Sequence, residues 1–179
     1  MSNLKPNTNR LFLTNIEKLI INDETMMRLL VYAPEDWNEE LQKEIFDPLD
    51  ERLPNIVDDS KKYWELVEDK VRKGSKRMRI ESTKSAVLYI AEGRERPIFG
   101  NNYLNKKEVA FRIVVNEDFE VDDRISRISD RLSHLLMRES EVAGYGKIDI
   151  VGKNPREAPL GNRLQEDIYS YIVLSKSGG

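Results

Sequence analysis

The order of periodic segments between residues 85 and 175 constrains the fold most strongly. Two strand patterns come first, an amphipathic helix follows, and two further strand patterns complete the segment. Two hairpins on either side of one helix predict a mostly antiparallel sheet with that helix packed on one face. The sequence therefore predicts an α+β fold of β-β-α-β-β order. Because alternating βαβ units are missing from this pattern, a dinucleotide-binding sheet is not expected.

Each of these segments has its own pattern. Residues 85–90 predict a buried strand, because the run from Ala86 to Ile90 is apolar, and apolar residues alternate over 108–115, as expected for a second strand. Further strands are predicted over 147–151 and 166–174, and a polar loop is predicted between them. The apolar stripe of the intervening helix consists of Ile125, Ile128, Leu132, Leu135 and Leu136. Its arginines, which are predicted to fall largely off that stripe, are Arg124, Arg127, Arg131 and Arg138.

The first 84 residues predict a helical and irregular region ahead of this core. Apolar residues recur at helical spacing over 11–30, and Asp23 is placed to cap a second helix. The acidic stretch 35–59 contains prolines that break any long helix, so it predicts a loop with short helical pieces. One domain is predicted overall. Its parts are a disordered arm over 1–10, a charged N-terminal region over 11–84, the α+β core over 85–175 and a tail over 176–179.

Another helix is predicted within this charged region, over 61–72. Tyr63, Trp64, Val67 and Val71 are predicted to share one face of it.

The residue types present exclude most catalytic and metal-binding chemistry. The chain has no cysteine and one histidine, His134, so it cannot form a thiolate nucleophile or a multi-histidine metal site. His134 lies between apolar positions of the predicted helix and is interpreted as structural. The pairs Asp58-Asp59 and Asp122-Asp123 precede predicted helices and are interpreted as caps. The sequence therefore predicts a protein that is not an enzyme and uses no cofactor or metal, with a carboxylate-based enzyme as the alternative.

Two segments are candidates for contact with other molecules. Residues 93–106 predict a polar hairpin loop, and arginine and aromatic residues are typical of interface hot spots. The candidate interface residues are Arg94, Arg96, Phe99 and Tyr103.

The second candidate is a basic stretch over 70–84, because several cations on one surface can contact phosphate. The net charge of −3 argues against a general nucleic-acid binder, so this stretch could equally pair with the acidic region of a neighbouring subunit. The candidate patch consists of Lys70, Arg72, Lys73, Lys76, Arg77 and Arg79.

Residues 85–174 resemble the neck and tail-completion proteins of tailed bacteriophages, in particular tail terminators. The resemblance lies in the order of an apolar strand, a hairpin, a second strand, a helix, a Gly-x-Gly turn and two final strands. The segments that carry it are 85–90, 93–97, 109–117, 124–132, 144–151 and 169–174.

The resemblance implies a ring, usually of six subunits, that stops growth of the tail tube and joins the tail to the head connector. It implies as partners copies of this chain, the tail tube protein and a connector or neck protein, with passing contact with DNA left open. The location implied is the virion, after synthesis in the host cytoplasm, and no apolar run predicts a membrane span. The alternatives are a head-closure or tail-sheath adaptor protein of the same neck, and a nucleic-acid-binding module that uses 70–84.

Overall fold

A computed structural model describes residues 8–34, 36–38, 43–45, 47–57, 60–74, 86–98, 101–138, 148–156 and 164–176. Within these ranges the helices are α1 (Thr8–Ile21), α2 (Glu24–Val31), α3 (Ser60–Lys70), α4 (Glu117–Glu120) and α5 (Arg124–Arg138). The strands are β1 (Asp36–Asn38), β2 (Lys43–Ile45), β3 (Val71–Gly74), β4 (Ala86–Ile98), β5 (Asn101–Asn116), β6 (Ile148–Arg156) and β7 (Leu164–Lys176). The predicted α+β fold is confirmed, because the β4–β5 and β6–β7 hairpins lie on either side of α5 in the chain.

The central sheet has five strands in the order β3-β4-β5-β7-β6. The β4–β5, β5–β7 and β6–β7 pairs are antiparallel, whereas β3 runs parallel to β4 with Val71 opposite Leu88. The prediction of a mostly antiparallel sheet is therefore confirmed. The sequence did not predict β3, and the predicted helix over 61–72 is wrong for residues 71–72, which begin this strand. The four residues of β3 include one large apolar side chain and show no alternation, and pairing with β4 stabilises the strand.

Short strands also replace part of the predicted acidic loop. β1 and β2 pair antiparallel, with Trp37 opposite Glu44. The prediction of a loop with short helical pieces over 35–59 is wrong for these two strands. With three residues each, they are too short to show a period in the sequence.

The N-terminal helices belong to the hydrophobic core that covers one face of the sheet. α1, α2, α3 and α5 all contribute buried side chains to it, and they pack against β4 and β5. Large members of this core are Ile16, Ile20, Met27, Leu30, Tyr63, Leu88, Ile90, Phe111, Ile113, Ile128 and Leu132. α1 begins at Thr8, so the predicted disordered arm is wrong for residues 8–10, and residues 1–7 lie outside the described part.

The sheet is buried on its second face as well. Val87 and Tyr89 of β4, and Ala110 and Val114 of β5, alternate with the core residues and are also buried. Successive residues of a strand point to opposite faces, so both faces of these two strands are covered. This confirms a buried strand for the continuous apolar run that starts β4.

The apolar stripe of α5 is confirmed, the prediction that its arginines lie off this stripe is wrong for Arg124, and His134 is not packed in the core. Ile125, Ile128 and Leu132 are buried, but so is Arg124, whose side chain is completely inaccessible to solvent. His134 is exposed, because its position on the helix faces away from the apolar neighbours that flank it in sequence.

The caps of α2 and α5 differ from each other. Asp23 caps α2 as predicted, since its Oδ1 accepts a hydrogen bond from the Met26 N–H at 2.8 Å. At α5 the Ile125 N–H donates to Oε2 of Glu120 at 3.0 Å. The Asp122 carboxylate binds arginine side chains, so the interpretation as a cap is wrong for this residue. Asp123 directly precedes α5, and its carbonyl oxygen accepts a hydrogen bond from the Arg127 N–H at 3.0 Å, so Asp123 occupies the cap position. The other predicted cap, Asp58-Asp59, lies outside the described residues.

The two C-terminal strands are longer than predicted. β6 extends to Arg156, β7 begins at Leu164, and β7 continues to Lys176. The predicted polar loop is correspondingly shorter, and the first residue of the predicted tail belongs to a strand. Gly144 and Gly146 of the predicted turn lie outside the described residues.

Candidate functional site

The first candidate interface lies on a long β-hairpin. β4 and β5 stay paired from Ala86 opposite Val115 to Ile98 opposite Asn101. Residues 94 and 96 therefore belong to β4 and residue 103 belongs to β5, whereas residue 99 lies outside the described part. The prediction of a loop is wrong for residues 93–98 and 101–106, because these residues belong to the paired strands β4 and β5.

Gly93 allows the hairpin to continue past a change of register. The pairing of β4 with β5 shifts between Glu92 and Glu95, which is the mark of a β-bulge. A Cβ atom at position 93 would lie 2.6 Å from the Cβ of Glu108, which is closer than two non-bonded carbon atoms can approach. The strands can approach this closely at the bulge only because residue 93 lacks a side chain.

The distal half of the hairpin brings cationic residues of two strands into register. Arg96 pairs directly with Lys106, and Glu95 pairs with Lys107. The register therefore places one pair of like charges and one pair of opposite charges on neighbouring strands of the distal hairpin.

The described part of the basic stretch is engaged in contacts within the chain. Lys70 Nζ lies 2.9 Å from an Asp69 carboxylate oxygen, and Lys73 Nζ lies 2.5 Å from one of Glu17. The Arg72 guanidinium lies 5.9 Å from the centre of the Tyr89 ring. These three cations do not form the open phosphate-binding surface that the basic stretch predicted. The remaining residues of that stretch, Lys76, Arg77, Arg79 and Lys84, lie outside the described part.

The burial of Lys70 follows from its position on α3. It lies seven residues after Tyr63 and three after Val67, so it falls on the buried face of the helix. Its hydrogen bond is the main reason why the pKa of Asp69 is lowered from the ordinary value of 3.8. The sequence showed a run of cations, but the helical rotation directs this one inward.

The same rotation exposes a residue that the sequence placed in the core. Tyr63 and Val67 are buried as predicted, whereas Trp64 is exposed on the outer face of α3. Glu65 and Glu68 are exposed beside it. The predicted shared face is therefore wrong for Trp64, because adjacent helical residues are separated by about 100° around the axis.

Buried Arg124 joins α5 to the end of α2. Its Nη1 donates to the carbonyl oxygens of Leu29 at 2.6 Å and Tyr32 at 2.7 Å. Its Nη2 donates to Asp122 at 2.9 Å, and the guanidinium lies 5.2 Å from the centre of the Phe119 ring. The carbonyl groups at the end of a helix have no partner within the helix, so Arg124 satisfies two of them.

Two further arginines of α5 extend this contact. Arg131 Nε donates to Oδ1 of Asp23, the N-cap of α2, at 2.9 Å. Arg127 Nη2 donates to Oδ1 of Asp47 at 2.8 Å. Both ends of α2 are therefore bound by side chains of α5, together with the start of the loop over 47–57.

The polar side of α2 binds the backbone of that loop. Arg28 donates to the Asp50 carbonyl at 2.7 Å and to the Leu53 carbonyl at 2.9 Å. Glu24 accepts from the Ile56 N–H at 2.9 Å. An open pocket of about 260 Å³ adjoins these groups, but the donors of Arg28 are already used in holding the loop. We therefore interpret the pocket as a consequence of the loop contact.

Acid should weaken the contact between α5 and this loop. Partial burial raises the pKa of Asp47, but hydrogen bonds from Arg127 and the Leu49 N–H lower it below 3.8 overall. A carboxylate with a lowered folded-state pKa stabilises the fold above its unfolded pKa, and this contribution is lost as the pH falls through the folded value. We expect the stability difference between wild type and Asp47→Asn to be full at neutral pH and to shrink as the pH falls below 3.8 towards the lowered folded-state pKa. Urea unfolding at several pH values measures it; a difference that is the same at neutral pH and in strong acid would contradict the ion pair.

Within the described ranges, no group of three or more His, Asp or Glu side chains is placed to hold a metal ion. In the same ranges, no helix is long and apolar enough to cross a membrane. The sequence matches no protein-family model and no curated protein.

Proposed function

We propose that this chain is a structural, non-enzymatic subunit of the neck of a tailed bacteriophage. In this proposal it acts as a tail terminator that forms a ring, caps the tail tube and joins it to the head connector. The observation that carries the proposal is the long, cation-rich hairpin of β4 and β5, on the sheet whose element order matches the resemblance.

The hairpin has the properties of a rigid binding arm. The last described core residues are Ala91 on β4 and Val109 on β5, and β4 continues for seven residues to Ile98. At about 3.3 Å per residue these seven residues extend the strand by roughly 20 Å. β7 supports this extension, since it pairs with β5 as far as Lys176 opposite Leu104. A ladder of three strands can hold binding residues in one geometry at little entropic cost on docking.

The charge of the arm suits an acidic protein partner. The arm carries four cations and three carboxylates on its two strands, namely Arg94, Arg96, Lys106 and Lys107 with Glu92, Glu95 and Glu108. Complementary charge speeds encounter and sets register between subunits more than it adds affinity. A ring or stack that must assemble in one order benefits from that selectivity. A head-closure or tail-sheath adaptor protein would use the same arm.

Nucleic-acid binding by the basic stretch has less support. Lys70, Arg72 and Lys73 each contact groups of their own chain, so phosphate would have to compete for them. The proposal therefore assigns binding to the hairpin and to protein partners.

The location of the protein tests the proposal directly. Purified phage particles of the source system are analysed by mass spectrometry, and antibody-labelled particles are imaged by negative-stain electron microscopy. We expect the chain to be present in a few copies per particle, with label at the junction of head and tail. Particles that lack the chain would refute the neck assignment, and label elsewhere on the tail would refute the terminator role.

Charge reversal on the arm tests which surface docks. We expect Arg94→Glu with Arg96→Glu to leave the melting temperature near that of wild type, because both residues lie in the distal hairpin. Head-to-tail joining should fall at least about tenfold, since repulsion replaces attraction at the contact. Joined and separate particles are counted by electron microscopy, alongside infectious titre.

A matched control carries the same change of charge elsewhere. Lys18 and Arg52 are exposed on α1 and on the loop over 47–57, so Lys18→Glu with Arg52→Glu should join heads to tails normally. Normal joining by the hairpin variant would exclude the arm as the docking surface. Equal loss in both variants would point to net charge as the cause.

A further inference from the structure

The outward side of α3 carries an exposed aromatic ring beside carboxylates. Trp64 is 59% exposed, although the next residue towards the N-terminus, Tyr63, is buried. Glu65 and Glu68 are exposed on the same side, and among the described residues neither forms an ion pair. Positions 64 and 68 are one turn apart and neighbours on the helix surface. We call these three residues the Trp64 face.

Within the described side chains, the cations that follow the Trp64 face are paired with another carboxylate. Lys70 and Arg72 follow on the same segment, but both contact Asp69, and the pKa of that carboxyl is lowered as a result. Glu65 and Glu68 therefore remain available to a positively charged partner. Tryptophan is the residue type most enriched at binding hot spots, where it combines large apolar area with few rotatable bonds.

This combination of groups selects the chemistry of the partner. An exposed indole ring could stack on a nucleic-acid base, but the two carboxylates within one turn would repel the phosphate backbone. Anionic lipid would be repelled for the same reason. A basic polypeptide segment with apolar side chains between its cations satisfies both the ring and the carboxylates.

The chain itself contains such a segment. Residues 75–84 carry four cations, Lys76, Arg77, Arg79 and Lys84, against one carboxylate, and they include Met78 and Ile80. A contact between two different patches of identical subunits is heterologous, and repetition of it closes a ring when the rotation allows.

We infer that the Trp64 face binds the basic segment 75–84 of a second copy of this chain. The inference rests on the proposed ring and names one of its subunit contacts. Aromatic and aliphatic contact supplies affinity, and the charges select the orientation of the two copies.

Charge exchange tests the contact in the full-length chain. One variant carries Glu65→Lys with Glu68→Lys, and the other carries Lys76→Glu with Arg77→Glu. Sedimentation equilibrium over a range of protein and salt concentrations measures self-association. We expect each variant alone to associate at least about tenfold more weakly than wild type, because like charges then meet at the contact.

Restoration distinguishes this contact from an effect of net charge. An equimolar mixture of the two variants should form heterodimers, since the altered helix of one copy meets the altered segment of the other. A chain with all four changes should self-associate as wild type does. A control with Glu51→Lys and Asp130→Lys, both exposed and distant in sequence from the Trp64 face, should also associate normally.

The Trp64→Ala variant tests the aromatic part separately. Because Trp64 is exposed, its removal should leave thermal unfolding nearly unchanged and weaken association at least about tenfold. Unchanged association in this variant and in the Glu65→Lys, Glu68→Lys variant would overturn the inference. If the mixture forms no heterodimers, the contact lies within one chain, and the inference is overturned.

The inference and the proposed function fail in different ways. A wild-type chain that stays monomeric at all concentrations would overturn the inference, whereas absence from virions would overturn the function. Self-association through the Trp64 face in a protein absent from virions would leave the inference standing.

Discussion

Replacing Arg124 by methionine should destabilise the fold by about 3–5 kcal/mol, the range for removing one partner of a buried ion pair. Arg124 is fully buried and donates to the Leu29 and Tyr32 carbonyl oxygens and to Asp122. Methionine fills much of the same volume but leaves these acceptors without their donor in a buried site. Urea unfolding followed by circular dichroism gives the difference in the free energy of unfolding.

Arg127 supplies the matched control for this prediction. It lies one turn further along α5, is partly exposed and pairs with Asp47 and Asp122. We expect Arg127→Met to cost at most about 1 kcal/mol, because water can replace the lost partner. If both variants lose a similar free energy of unfolding, burial is not the reason why the contacts of Arg124 stabilise the fold.

Leu132→Ala should destabilise the protein by about 2–5 kcal/mol, because truncation of a buried leucine leaves a cavity in a packed core. Leu132 is completely buried between α5 and the rest of the core. The same urea titration measures the effect, and the slope with denaturant should not change if both proteins unfold in two states.

Met137→Ala is the control on the same helix. Met137 is 55% exposed, so its truncation should change the free energy of unfolding by no more than about 0.5 kcal/mol. A small effect of Leu132→Ala, or a large effect of Met137→Ala, would mean that α5 packs through a different face.

Periodicity predicted the elements whose pattern is local and long. The spacing of Ile125, Ile128 and Leu132 determines which side of α5 is apolar, and that side is buried. The alternation over 108–115 likewise predicts part of β5, and Asp23 before an apolar run predicts a cap. These features depend on residues only a few positions apart, so they can be derived without knowledge of the neighbouring elements.

The charge of a side chain did not predict its exposure at two positions. Arg124 and Lys70 were counted as surface cations, yet both are buried because the groups that pair with them come together on folding. Arg124 meets carbonyl oxygens that lie more than 90 residues earlier in the chain. No local pattern could indicate this contact, since its partners are backbone groups that every residue carries.

For the candidate sites too, the sequence predicted which residues are involved, whereas the structure decided where they lie. Residue type identified Arg94, Arg96 and Tyr103 from the sequence, but only strand pairing converted their segment from a loop into a hairpin. Gly93 lies at the start of the predicted hairpin loop, and its role in the structure is to permit a bulge against Glu108. Trp64 was predicted to share one face of a helix with Tyr63 and Val67, and the rotation of α3 placed it outside.

By itself, the sequence determined the α+β class, the β-β-α-β-β order and the apolar side of α5, because these follow from periods of two and 3.6 residues along one segment. Only the tertiary structure decided the addition of β3, the inclusion of α1 and α2 in the core, the burial of Arg124 and the exposure of Trp64. The first three depend on contacts between segments far apart in the chain, and long-range pairing can override local propensity. The exposure of Trp64 follows from which side of α3 packs against the core.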